Sequence, residues 1–276
     1  MKREKSRVHC SLMEGRPLAK AKATGRLGQL LKETMVGEDE TLIITKRLRQ
    51  YLMSMPTIKA NLPTLNSILT DDSNNVRHGR FGASSRGTCL RRQLFAFEGM
   101  EQTAQFNPQL AMIFQDGTWR HLRWQMMGLD AGIFTHVEVP YAKPEYRLTV
   151  SVDAVNEDEG WLFELKGSRT MFGEPPMPHL LQIHTYFLAT GMKRAVYVVE
   201  HKATQEWREW VIDVDPALYK GVLDELRELN HAVDERKLPK VLDECKSKQG
   251  CFKECPYSTK CLDQHEYPAA GRWSDA

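Results

Sequence analysis

The chain has 276 residues, 41% of them hydrophobic, with a formal net charge of +2, which suits one large globular domain with appendages. No run approaches the roughly 18 apolar residues of a membrane span, and the basic N-terminus lacks the apolar core of a secretory signal, so we expect an intracellular protein with no membrane partner. Six cysteines in this length exclude a disulfide scaffold, and the charge is uneven, with 13 Lys/Arg against 6 Asp/Glu in residues 1–60.

Residues 1–27 are basic and poor in large apolar groups, and they read as a flexible leader or as a segment that lies along phosphates. Leu27–Met35 and Thr41–Met53 have helical spacing, with Leu42, Ile43, Leu48, Leu52 and Met53 as packing positions. Pro56 and Pro63 interrupt, and Asp71–Ser85 reads as a loop. We therefore expect residues 1–80 to form a basic, partly flexible extension with helices, and 81–276 to form the main domain. Ser84–Phe95 looks like a serine-capped helix start with Cys89 in its first turns. Pro108–Met127 is a predicted helix with Leu110, Ile113, Phe114, Leu122 and Met126 facing the core, and His121 on a later turn.

Val137–Val139 is a predicted strand containing Glu138. Val150–Lys166 is a predicted hairpin of two strand-like runs about the charged turn Asn156–Gly160. His179–Ala189 is a helix in which Gln182 and Tyr186 share one face. Ala195–Glu200 and Glu209–Val214 read as strands, and Pro216–Glu235 as an amphipathic helix with Pro216 in its first turn. Leu238 and Pro239 lead into the cysteine segment. Helices, three strands, a helix, two strands and a helix predict a mixed α/β core.

The chemistry centres on the hairpin. Glu164 and Lys166, two apart on a strand, point to one face, and folding about the turn brings Asp153 roughly opposite Phe163–Glu164. Two carboxylates and a lysine at one end of a sheet can hold a hard divalent cation beside a phosphate. Lys166 can orient the attacking water or help deprotonate it, and the Leu165 carbonyl lies between the charged pair as a further ligand. The flanking Val150, Val152, Val155, Leu162, Phe163 and Leu165 describe a buried hairpin, which carries charge inward only for a reason. His121 adds a neutral nitrogen ligand suited to Mn²⁺ better than to Mg²⁺.

Cys245, Cys251, Cys255 and Cys261 fall within 17 residues. By count they allow a local zinc site, although the spacing is not that of a zinc ribbon. An iron–sulfur cluster is the other reading, its fourth thiolate coming from Cys89 and leaving Cys245 and Cys10 as spare thiols.

These motifs together, in the order Ser84–Arg92, Asp116–His121, Val152–Val155, Phe163–Gly167, Gln182–Tyr186 and the terminal cysteines, resemble the PD-(D/E)XK nuclease superfamily. The likeness is to its RecB-like branch with an iron–sulfur cluster, which includes CRISPR-associated exonucleases. The resemblance implies a restriction-endonuclease-like core, with a central mixed sheet flanked by helices and a cysteine-stapled C-terminal segment (239–263). It implies metal ligands at His121, Asp153, Glu164 and the Leu165 carbonyl, with one or two Mg²⁺ or Mn²⁺ ions bound, and Lys166 as the catalytic lysine. Gln182 and Tyr186 form the supporting motif, and a [4Fe–4S] cluster sits on Cys89, Cys251, Cys255 and Cys261. The terminal spacing departs from the family's usual one, so Cys245 can replace Cys251.

The implied activity is a DNA exonuclease favouring single strands or duplex ends. No helicase P-loop is present, so unwinding falls to a partner such as a helicase or recombination protein. The competing readings are a non-catalytic DNA-binding module of the same fold and a zinc-stapled structural protein.

Overall fold

A computed structural model of the chain describes residues 42–54, 79–102, 108–248 and 255–268. Its centre is a mixed sheet of five strands: β1 (His136–Lys143), β2 (Leu148–Asn156), β3 (Trp161–Ser168), β4 (Arg194–His201) and β5 (Trp207–Asp213), in that spatial order. Every neighbouring pair is antiparallel except β3 and β4. A parallel pair needs a crossover, and the helix α4 (Met177–Thr190) supplies it. The expected mixed α/β core, with its helix and strand order, is the observed one.

The central strands are β-branched and apolar because helices cover both faces of the sheet. On one face α4 and α5 (Pro216–Asp234) pack around Val150, Leu162, Phe187, Tyr197 and Leu226. On the other, α1 (Thr45–Met53) and α3 (Pro108–Asp130) pack around Leu48, Trp124, Phe134, Phe163 and Val198. The turn between β2 and β3 closes as the sequence indicates: Gly160 takes φ +72°, a left-handed conformation open to glycine, and its N–H donates to the Asn156 carbonyl at 2.9 Å.

Three local expectations need correction. On α3, burial begins only at Arg120, and Ile113 and Phe114 are exposed, the latter by 57%. The helix has 23 residues, roughly 35 Å, and its buried residues all lie between Arg120 and Gly128, so the apolar residues of its first turns fall outside the packed layer. On α1, Met53 is exposed and Ile44 takes the buried place, because the helix is docked from its N-terminus: the buried Glu209 carboxylate accepts the N–H groups of Ile43 (2.6 Å), Ile44 (3.0 Å) and Thr45 (2.7 Å). This helix, from the stretch read as an extension, contributes Ile44 and Leu48 to the core.

The serine-capped start is also absent. Ala83–Ser85 forms a separate 3₁₀ turn, and α2 (Leu90–Phe97) begins after Cys89, with no side-chain cap. Gly87, at φ +71°, breaks the run between them; a Cβ there would meet Leu181 Cδ1 at 2.5 Å. A 3₁₀ turn, Pro144–Tyr146, joins β1 to β2, and two short helices, α6 (Asp243–Lys246) and α7 (Ser258–Asp263), complete the described elements. The predicted helix Leu27–Met35 and the thiols Cys10 and Cys251 lie outside the described residues.

Candidate active site

The pairing of β2 with β3 runs from Asn156–Trp161 to Ala154–Phe163 and ends there. Asp153 and Glu164 would be the next pair. Instead of a ladder bond, the Asp153 carboxylate accepts the Leu165 N–H at 2.8 Å, through Oδ2. The two strands thus part where the charged residues stand, and a cavity of about 880 Å³ opens between them.

Glu164 is fully buried. Its Oε1 is ion-paired with Lys166 Nζ and accepts from Gln182 Nε2 at 2.8 Å. Gln182 also donates to the Tyr186 hydroxyl at 2.6 Å, the i, i+4 contact its place on α4 allows. From the other face, α3 brings His121 Nδ1 to 3.3 Å from Asp153 Oδ1. His121, Asp153, Glu164, Lys166, Gln182 and Tyr186 all line this one cavity. Leu165 is not among the lining residues; its backbone N–H bonds the Asp153 carboxylate from behind them.

Glu138 lines the cavity too and was not singled out by the sequence. It stands opposite Asp153 across the β1–β2 ladder, between the pairs Val137–Ala154 and Val139–Val152. Side chains two apart on a strand share a face. Here they do not: Val137 and Ala154 pack in the α3 layer, Val139 and Val152 in the α4 layer. The rotation occurs at Glu138, whose φ of +48° is left-handed and costs a non-glycine residue about 1–2 kcal/mol. Its carboxylate accepts from Gln125 Nε2 at 2.6 Å and from Ser151 Oγ at 2.9 Å, and the Gln125 amide also reaches the Asp153 carbonyl at 2.9 Å.

The charges in the cavity push one another's protonation apart. Burial raises the Glu164 carboxyl, and the Asp153 charge raises it further. Burial also acts upward on Asp153, but His121, Lys166 and the Leu165 N–H hold it below the usual range. Burial alone would lower His121; the Asp153 carboxylate, with Glu164 behind it, lifts it to about 9. Lys166 is raised because Glu164 and Asp153 outweigh its desolvation. Tyr186 is held protonated by burial and the Glu164 charge.

The residues present fit a divalent cation. Glu164 Oε2 is buried and has no hydrogen-bond partner among the described residues, an arrangement worth about 1–3 kcal/mol of penalty for a polar atom and more for a charged one. One donor atom each from His121, Glu138 and Asp153 fall within 4.8 Å of one another. Carboxylate oxygens suit Mg²⁺ or Mn²⁺, and the imidazole tilts the set toward Mn²⁺.

The helix carrying His121 is fastened by charge. Glu200, at the end of β4, is buried and accepts from Arg120, Arg123 and the Trp124 indole N–H. Arg120 crosses directly over Gly167, where a Cβ would lie 3.0 Å from its Cδ and Nε. An alanine there, one residue past Lys166, would require the arginine to give way by a few tenths of an ångström.

A second cavity, of about 310 Å³, is lined by Cys89, Cys245, Cys255 and Cys261, none of them in a disulfide. Burial, with the Cys89 and Cys255 sulfurs nearby, pushes the Cys261 thiol up against the pull of Arg91. Arg91 donates to the carbonyls of Pro239 (3.2 Å), Cys261 (3.1 Å) and Gln264, stitching the C-terminal segment to α2. Cys245, read as spare, is buried at this cavity.

No family model matches the chain, and no curated protein sequence does. Among solved structures, the crystal structure of SSO0001 is 16% identical with a TM-score of 0.45, covering 80% of this chain and 96% of that one. An alkaline exonuclease (LHK-Exo) from Laribacter hongkongensis is 18% identical with a TM-score of 0.46, covering 60% and 93%. A phage related exonuclease from Haemophilus somnus 129PT is 11% identical with a TM-score of 0.42, covering 59% and 97%. Likeness at this level says nothing of this chain's chemistry, which rests on its own residues.

Proposed function

We propose that this protein is a divalent-metal-dependent DNA nuclease of the RecB-like branch of the PD-(D/E)XK superfamily, an exonuclease favouring single strands. One observation carries the reading: two buried carboxylates and a lysine converge where β2 and β3 part, with Glu164 Oε2 buried and unpartnered. Divalent cations held there supply Lewis acidity at the phosphate and lower the pKa of water. Asp153 and Glu164 are the carboxylate ligands, joined by His121 and the Leu165 carbonyl. Lys166 offsets phosphate charge and orients the attacking water, and Gln182 and Tyr186 hold the Glu164 carboxylate in place. In this reading α1 and residues 81–276 form the nuclease domain, and the basic residues before α1 add affinity for the DNA backbone.

The cysteine cavity supports the second part of the proposal, a [4Fe–4S] cluster on Cys89, Cys255 and Cys261 with Cys245 or Cys251 as the fourth ligand. Such a cluster would tie the C-terminal segment to α2. Duplex substrate would need a partner helicase to open it.

The test is degradation of labelled DNA, linear and circular, single- and double-stranded, with Mg²⁺ or Mn²⁺. Loss of linear single strands with survival of circles is the expected result. Salt-sensitive binding of DNA with no cleavage under either ion would support a non-catalytic binding module instead.

A further inference from the structure

We propose that Glu138 is a metal ligand, joining His121 and Asp153 around a divalent cation. The inference gains its functional meaning from the nuclease reading, but it concerns binding and stands on its own geometry.

The first support is position. Residues directly opposite in an antiparallel pair project to the same side, and like charges there repel. Glu138 and Asp153 are so placed, and both line the same cavity. The sequence offers no apolar substitute at Glu138 and the backbone is bent to turn it inward, at φ +48°. An outlier of this kind is retained where the surrounding site makes use of it.

The second support is charge accounting. Lys166 is paired with Glu164, and His121 stands against Asp153. Among the described residues, Glu138 accepts hydrogen bonds from the neutral Gln125 amide and the Ser151 hydroxyl. Each carboxylate oxygen has two acceptor positions, so these contacts fix its orientation and leave capacity toward the cavity. Three carboxylates therefore share two basic side chains, Lys166 and His121.

The third support is scale. Donor atoms of Glu138, His121 and Asp153 lie within 4.8 Å of one another, and ligands on opposite sides of a Mn²⁺- or Mg²⁺-sized ion stand roughly 4.2 Å apart. A nitrogen donor in this set favours Mn²⁺ over Mg²⁺.

Mn²⁺ titration of the full-length protein without DNA, followed by calorimetry and by the electron paramagnetic resonance of free Mn²⁺, tests this. Glu138→Gln should weaken Mn²⁺ binding by at least about tenfold. Should Glu138→Gln fail to fold, Glu138→Asp, which shortens the reach while keeping the charge, should weaken binding likewise and leave the melting temperature close to wild type. Unchanged Mn²⁺ affinity in a folded Glu138 variant would overturn the inference. That result with a wild type that cleaves DNA counts against this inference alone, and a wild type that binds Mn²⁺ through Glu138 and leaves DNA intact counts against the nuclease reading alone.

Discussion

Arg120 on α3 and Glu200 on β4 form an ion pair with both side chains buried, 8% and 1% exposed. Arg123 and Trp124 donate to the same carboxylate, so three successive contacts of one helix turn hang on one residue. Removing one partner of a buried pair leaves the other charge uncompensated, at a cost of about 3–5 kcal/mol. Glu200→Ala should therefore lower the unfolding free energy by about that amount in urea titration. Because His121 follows Arg120 on the helix, Mn²⁺ affinity should fall as well. A stability change under about 1 kcal/mol would show that the helix is fastened elsewhere.

Gly167→Ala tests the same fastening from the strand. The new Cβ would lie 3.0 Å from Arg120 Cδ and Nε and 3.3 Å from Lys202 Cε. Arg120 is held at its far end by Glu200 and Asp116, so it cannot swing aside freely. We expect cleavage to fall by roughly tenfold to a hundredfold through displacement of neighbouring groups, with a smaller effect on melting temperature. Equal rates for variant and wild type would remove Arg120 from the positioning of the site.

Gly128→Ala acts on stability alone. Its Cβ would come within 2.1 Å of Phe134 Cδ2, and Phe134 is buried against Trp161 and Phe163. The ring must move in a packed layer, which costs about 1–3 kcal/mol. Calorimetry should record a lower melting temperature, while cleavage per folded molecule at low temperature stays at the wild-type value.

The cysteine cavity predicts iron. Protein purified without oxygen should be brown, absorb near the blue end of the visible spectrum and contain about four iron atoms per chain. Cys89→Ser, Cys255→Ser and Cys261→Ser should each lose that iron. Between Cys245→Ser and Cys251→Ser, the one that loses it identifies the fourth ligand. Zinc with no iron would replace the cluster with a structural zinc site.

The hairpin is legible in the sequence because it obeys local rules. Val150–Val155 and Leu162–Leu165 alternate around charge, and Gly160 closes the turn, so Asp153, Glu164 and Lys166 fall together in any fold that keeps the pairing. Gln182 and Tyr186 are legible for the same reason, their helical spacing. Glu138 is not, because an inward turn at a left-handed glutamate has no signature in residue type; Val-Glu-Val reads as a strand with one solvent-facing charge. Glu200 is hidden likewise at the end of an apolar strand. Ile113 and Phe114 mislead because periodicity reports a helix's apolar stripe and not where its neighbours end.

The most direct measurement compares wild type with Lys166→Ala on end-labelled linear single-stranded DNA in Mn²⁺. The account predicts that wild type degrades the strand, that chelation stops it, and that Lys166→Ala slows it by roughly 10²–10³-fold while still binding DNA. Intact DNA with the wild type, or cleavage by Lys166→Ala at the wild-type rate, would contradict the account.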